Sequence, residues 1–138
     1  MTIYCIYCGT DKKSYLAELD IVDSYDPAVN LLVPSPGWRT INRPPGSFQD
    51  FHPARQCGSM TIVLQGELEI GASAGTPRQV TLRKGDMLVV IDTQGDGHTA
   101  ARKGSEQFKA INVRISPHWA SLHRVFSGWP DNVLPFAE

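Results

Sequence analysis

The stretch Ser59–His98, SMTIVLQGELEIGASAGTPRQVTLRKGDMLVVIDTQGDGH, decides the fold. It divides into short strands cut by glycine turns. Met60–Leu64 is apolar, Gln65-Gly66 turns, and Glu67–Ile70 alternates polar and apolar. After a loop at Ala72–Pro77, Arg78, Val80 and Leu82 against Gln79 and Thr81 keep a period of two. Lys84-Gly85-Asp86 turns the chain, Met87–Ile91 is a second apolar run, and Thr93–Gly97 loops into His98. Short strands at regular spacing between glycine punctuation predict a β-sandwich or barrel. Met60–Leu64 and Met87–Ile91 read as strands buried on both faces. That predicts an inner lumen and an outer face that is also covered, by a second layer or a partner chain.

Working outward toward the N-terminus, Ser47–Phe51 leads into His52-Pro53. Pro34, Pro36, Pro44 and Pro45 bracket Gly37–Arg43, which reads as a strand, and Pro44-Pro45-Gly46 is a turn signal. Asp23–Val33 is mostly irregular, with a short strand at Leu31–Val33. Ser14–Val22 fits one helical turn or a loose strand, and Gly9–Lys13 is a turn. Ile3–Cys8, rich in Tyr and Ile, predicts a first strand.

Toward the C-terminus, a strand runs from His98 to Lys103, and Gly104-Ser105 turns into a final strand at Gln107–Ile115. Its odd positions Ile111, Val113 and Ile115 suit the core, Lys109 shares their register, and Asn112 and Arg114 are expected to face away. Ser116-Pro117 is a helix start, an N-cap followed by proline at the first helical position. Trp119, Leu122, Val125 and Phe126 form one apolar stripe, so a helix over about residues 117–127 is expected to cover the outside of the barrel. His118 and His123 lie off that stripe and read as surface residues.

A chain of 138 residues reads as a single domain over 1–138, with the barrel core at about 37–116. Net charge is −1 without a basic block, so nothing suggests a nucleic-acid footprint. No apolar run approaches the length of a membrane span and no signal-peptide pattern opens the chain. The expectation is a soluble cytoplasmic protein. Cys5 and Cys8 form a lone C-x-x-C on a strand, whose odd spacing puts the thiols on opposite faces. With Cys57 that makes three cysteines, which suggest neither a disulfide framework nor a zinc ribbon.

The pattern G-E-L-E-I after an apolar strand, then K-G-D, an apolar strand and a glycine-rich loop ending in His98, resembles the cupin superfamily. HPAR (His52–Arg55), DTQGDGH (Asp92–His98) and the Y-x-G-x-D start at Tyr7–Asp11 are similar to a subgroup of small cupins with H-P-A-P-R and D-T-x-G-x-G-H motifs. The resemblance covers roughly Tyr7 to Ser116. It implies an all-β double-stranded β-helix, a jelly-roll barrel, here with a short C-terminal helix, and it implies a homodimer. It also implies where a metal would sit: two histidines one residue apart, a glutamate, and a later histidine. His52 fits the first position and His98 the last, but Ala54 and Ser59 fall at the other two. Two of four ligands survive, so no metal or other cofactor is expected. A divalent transition metal completed by Gln56, Asp50 or Cys57 is the minor alternative.

His98 is the leading catalytic candidate. The approach Gly95-Asp96-Gly97 permits a tight backbone path, and the family analogy points the imidazole into the lumen. His52 is its partner, and Arg55 is suited to clamp a carboxylate or an enolate. Trp38, Ser59, Cys57 and Lys109 are the candidate substrate contacts. Asp92 is read as shaping the loop that follows it. Three functions remain. The first is a metal-independent enzyme on a small, partly apolar molecule, running isomerisation, cyclisation or elimination through His98 and His52. The second is a non-enzymatic ligand-binding cupin. The third is a metal-dependent dioxygenase or isomerase with an atypical ligand set.

Overall fold

The computed structural model describes residues 1–22, 35–44, 46–54, 58–115 and 119–135. Its strands are β1 (Ile3–Cys8), β2 (Ser14–Ile21), β3 (Trp38–Arg43), β4 (Phe48–His52), β5 (Ser59–Gln65) and β6 (Glu67–Gly71). They continue with β7 (Gln79–Leu82), β8 (Met87–Val90), β9 (His98–Lys103) and β10 (Phe108–Arg114). A helix, α1 (Trp119–Val125), and a two-residue strand, β11 (Phe126–Ser127), follow. The expected strand at Leu31–Val33, the Ser116-Pro117 helix start and His118 lie outside the described residues.

Two sheets form. One has the order β11-β2-β1-β8-β5-β10-β3, the other β4-β9-β6-β7. From β3 to β10 the chain crosses between the sheets at every connection except β6–β7. This winding of paired strands about one axis is a jelly roll, and it leaves few open edges. β1 and β2 extend the larger sheet through a parallel β1–β8 pair and an antiparallel β1–β2 pair.

The larger sheet has an apolar layer on each side. Inside the barrel, Ile6, Val63, Leu68, Ile70, Leu82, Leu88 and Phe108 form one cluster. Outside, Ile3, Cys5, Leu19, Val89, Ile91 and Ile115 pack with Leu122 and Phe126 from α1 and β11. β8 is therefore buried on both faces, as its continuous apolar run predicts. β5 matches only in part. Gln65 pairs with Lys109 but Val63 with Ala110, so Leu64 is an extra residue in a bulge and is 48% exposed. The cover on the outer face comes from this chain's own C-terminal segment.

Of the two readings of Ser14–Val22 the strand is the one that forms: β2 runs Ser14–Ile21, and its residues Ser14–Leu19 pair with β1. β4, Phe48–His52, pairs with β9 in a stretch to which the sequence assigned no element. Other expectations are corrected. The helix ends at Val125, and Phe126 instead pairs with Ile21 at the edge of β2. On β10 the register is the reverse of the expected one. Phe108, Ala110 and Asn112 are buried toward the lumen, while Ile111 and Val113 lie beside Ile62 and Met60 on the outer face. Lys109 is accordingly exposed. Trp38 pairs with Val113, shares that outer face, and is 70% exposed. It neither lines nor plugs the lumen.

Both described cysteines are free and buried on β1, Cys5 under α1 and β11. Burial pushes the Cys5 thiol well above its ordinary range.

Candidate functional site

Three local features bring His52 and His98 together. β4 and β9 are antiparallel, and the two histidines are directly paired residues. A bulge precedes them: Gln49 pairs with Ala100 and His52 with His98, so three steps on β4 match two on β9. A regular strand would point Gln49 and His52 to opposite faces. With the bulge, both line one cavity. Finally, Gly97 has φ of 76°. A Cβ there would collide with the His52 carbonyl group and Pro53 N, so only glycine lets the two segments approach.

The two imidazole rings lie 4.6 Å apart between centroids. His98 Nδ1 donates to Asp92 Oδ2 at 2.6 Å, and both residues are buried. His52 Nδ1 donates to the Asp50 carbonyl at 2.7 Å. A carbonyl only accepts, so neutral His52 carries its proton on Nδ1. In both rings Nε2 is the nitrogen left for a ligand. Burial raises the Asp92 carboxyl above its ordinary value, and the hydrogen bond from His98 pulls it part of the way back.

The cavity between the sheets holds about 320 Å³. That is the scale of a small-molecule site. Its apolar floor is Leu68, Ile70, Leu88 and Val90. Thr61 and Asn112 meet on its wall, the amide donating to the hydroxyl at 3.0 Å. Arg39, Arg43 and Arg114 complete the lining. Arg43 Nη2 donates to Gln49 Oε1 at 2.8 Å, which ties β3 to β4 across the opening. Burial, and then the neighbouring charge of Arg39, push the Arg43 guanidinium below its usual pKa.

Of the residues singled out from sequence, His52, His98 and Ser59 line this cavity. Trp38 and Lys109 do not. Arg55, Gln56 and Cys57 lie outside the described residues. Asp92 was expected to shape a loop, and its carboxylate instead holds His98. Asp92 lies six residues before His98, a separation that says nothing about contact until the loop is folded back. The guanidiniums were missed for a related reason. Arg39, Ile41 and Arg43 alternate with Trp38, Thr40 and Asn42, so β3 had one aliphatic and one aromatic face to choose between.

The fold type raises the question of a metal. Ala54 offers no donor at the second ligand position and Ser59 only a hydroxyl. Asp50 is on the surface, its carboxylate accepting from the Phe51 amide. Among the described residues no three His, Cys, Asp or Glu side chains converge as a metal site. Guanidiniums in the same cavity add repulsion toward a second cation. The described residues do not fit the metal that the cupin resemblance implies, and Gln56 and Cys57 lie outside them.

The strand order defines an all-β jelly-roll barrel, the fold that the cupin resemblance implies. The chain is similar to the solved Cnp3 cupin domain of Schizosaccharomyces pombe, at 18% identity and a TM-score of 0.49, covering 89% of this chain and 93% of that one. It is similar to a predicted oxalate decarboxylase from Thermotoga maritima, at 19% identity and 0.47, covering 73% and 81%. It is also similar to KdgF from a Halomonas species, at 15% and 0.47, covering 72% and 80%. No protein-family model and no curated protein matches the sequence. Likenesses of this size carry no functional argument.

Proposed function

We propose that the cavity is the active site of a metal-independent enzyme that relocates a proton on a small molecule. The observation that carries this reading is the buried Asp92–His98 hydrogen bond at 2.6 Å, with His52 paired beside it. Asp92 fixes the His98 ring and leaves Nε2 as the base. A proton taken from a carbon of the substrate lodges on that nitrogen, where the Asp92 carboxylate balances the new charge. It returns to a different atom of the same molecule, directly or through His52. The step is an isomerisation and needs no oxidant. If a leaving group departs instead, the same base performs an elimination or, with an internal nucleophile, a cyclisation.

The test is hydrogen exchange with solvent. The protein is incubated in D₂O with a panel of small enolisable carbonyl compounds, and deuterium is read by mass spectrometry. Deuterium in at least one compound, lost in His98→Gln with the fold retained, is the expected result. Exchange unchanged in His98→Gln removes the proposal. Exchange that requires an added divalent metal removes its metal-independent part. Binding without exchange favours a ligand-holding cupin.

A further inference from the structure

We propose that the ligand of this cavity is a small organic carboxylate, its anionic end held by Arg39 and Arg43 and its carbon skeleton against the apolar floor near His98. The inference deepens the proton-transfer reading, yet it rests on a different part of the wall. Arg39, Ile41 and Arg43 occupy alternate positions of β3 and face the lumen, and Arg114 faces it from β10. Among the described residues the lining contains no Asp or Glu. The carboxylates of the smaller sheet are engaged elsewhere, Glu67 with Arg83, Glu69 with Lys103 and Asp50 with the Phe51 amide. Asp92 is committed to His98.

The cluster is a local device, because the whole chain carries a net charge of −1. Placing guanidiniums in one half-buried cavity costs free energy through mutual repulsion and lost hydration. At Arg43, Nη2 is held by Gln49 while the buried Nε has no hydrogen-bond partner among the described residues. A planar carboxylate offers two acceptor oxygens to such a fork and neutralises the charge. The exposure gradient orients the ligand. Arg39 and Gln49 are exposed, Arg43 is half-buried, and His98 and Asn112 are buried. The charged end therefore sits toward the mouth and the reacting carbon toward the imidazoles.

The experiment is calorimetric titration with succinate, 2-oxoglutarate, citrate, their neutral amides or esters, and inorganic phosphate. Saturable binding of at least one carboxylate, absent for its neutral analogue and weakened by salt, is the expected result. The double variant Arg39→Gln/Arg43→Gln should weaken that binding by roughly tenfold to a hundredfold. Arg43→Lys, which keeps the charge but loses the fork, should fall between. No saturable carboxylate binding up to millimolar concentration overturns the proposal. So does equal affinity for the neutral analogue, and so does saturation by phosphate alone. Salt dependence and the neutral analogues read the wild-type protein, so a misfolded variant leaves the test intact. His98→Gln separates the two proposals. Carboxylate binding with no exchange in any protein sinks only the catalytic reading, and exchange on uncharged compounds alone sinks only this one.

Discussion

The two sides of the larger sheet are built on the same strands and differ in kind. The outer side is apolar where Leu122 and Phe126 pack against Ile3, Cys5, Leu19, Val89, Ile91 and Ile115. The inner side changes along the barrel. It is apolar around Phe108 and Val63, then turns polar at Asn112, Arg114 and Arg39, which share the cavity with the paired histidines of the smaller sheet. A single pleat thus serves packing on one face and both packing and recognition on the other. Folding free energy rests on the outer side and on the closed end of the mixed one. The polar end makes no comparable apolar gain, and its buried charge costs stability.

That division can be broken or sharpened by substitution. The largest effect is expected from Phe108→Ala, which empties a fully buried aromatic site at the closed end. It should cost about 3–5 kcal/mol in denaturant unfolding. Leu122→Ala on the outer side should cost about 2–5 kcal/mol. A loss below about 1 kcal/mol at either position would mean that the layer does not carry the fold. Gly97→Ala comes next, because backbone at His52 and Pro53 cannot yield to the new methyl. We expect a loss of about 3 kcal/mol and separation of the histidines, seen as lost exchange activity.

Asp92→Asn should divide function from stability. Activity is expected to fall about a hundredfold or more, because the imidazolium loses its balancing charge. Stability should move the other way at neutral pH. Burial raises the Asp92 pKa above its unfolded value, so the folded state takes up that proton more readily than the unfolded chain does. Its favourable contribution is present below the ordinary carboxylate range and is lost as pH rises through the raised pKa. The wild-type protein should therefore gain on Asp92→Asn as pH is lowered, in paired thermal melts. A gap that moves toward the variant on acidification would contradict the assignment. The smallest effect concerns Cys5, which is wholly buried with its thiol pushed up. Iodoacetamide should leave it unmodified in the native protein and alkylate it after unfolding, as peptide mass mapping will read. Ready native labelling would show that the outer layer is open.

Most of the strands were legible because periodicity and glycine punctuation are local. Met87–Ile91 shows it: a continuous apolar run belongs to a strand with no wet face, and β8 has none. Gln107–Ile115 shows the limit. Its apolar odd positions were assigned to the core, yet Ile111 and Val113 are only half-buried on the outer face, and the polar Asn112 and Arg114 took the cavity. Choosing between two acceptable faces requires knowing what lies across the barrel. β4 was harder still, since the bulge between Gln49 and His52 shifts the alternation itself.

By itself the sequence determined an all-β chain with a lumen, and it marked His52 and His98 through motif resemblance. Tertiary structure alone decided that Asp92 holds His98, that Arg39 and Arg43 enter the cavity, and that Trp38 and Lys109 stay outside it. The physical reason is range. Strand period and turn chemistry act over a few residues, whereas strand pairing, bulges and the face each strand turns inward depend on partners tens of residues away.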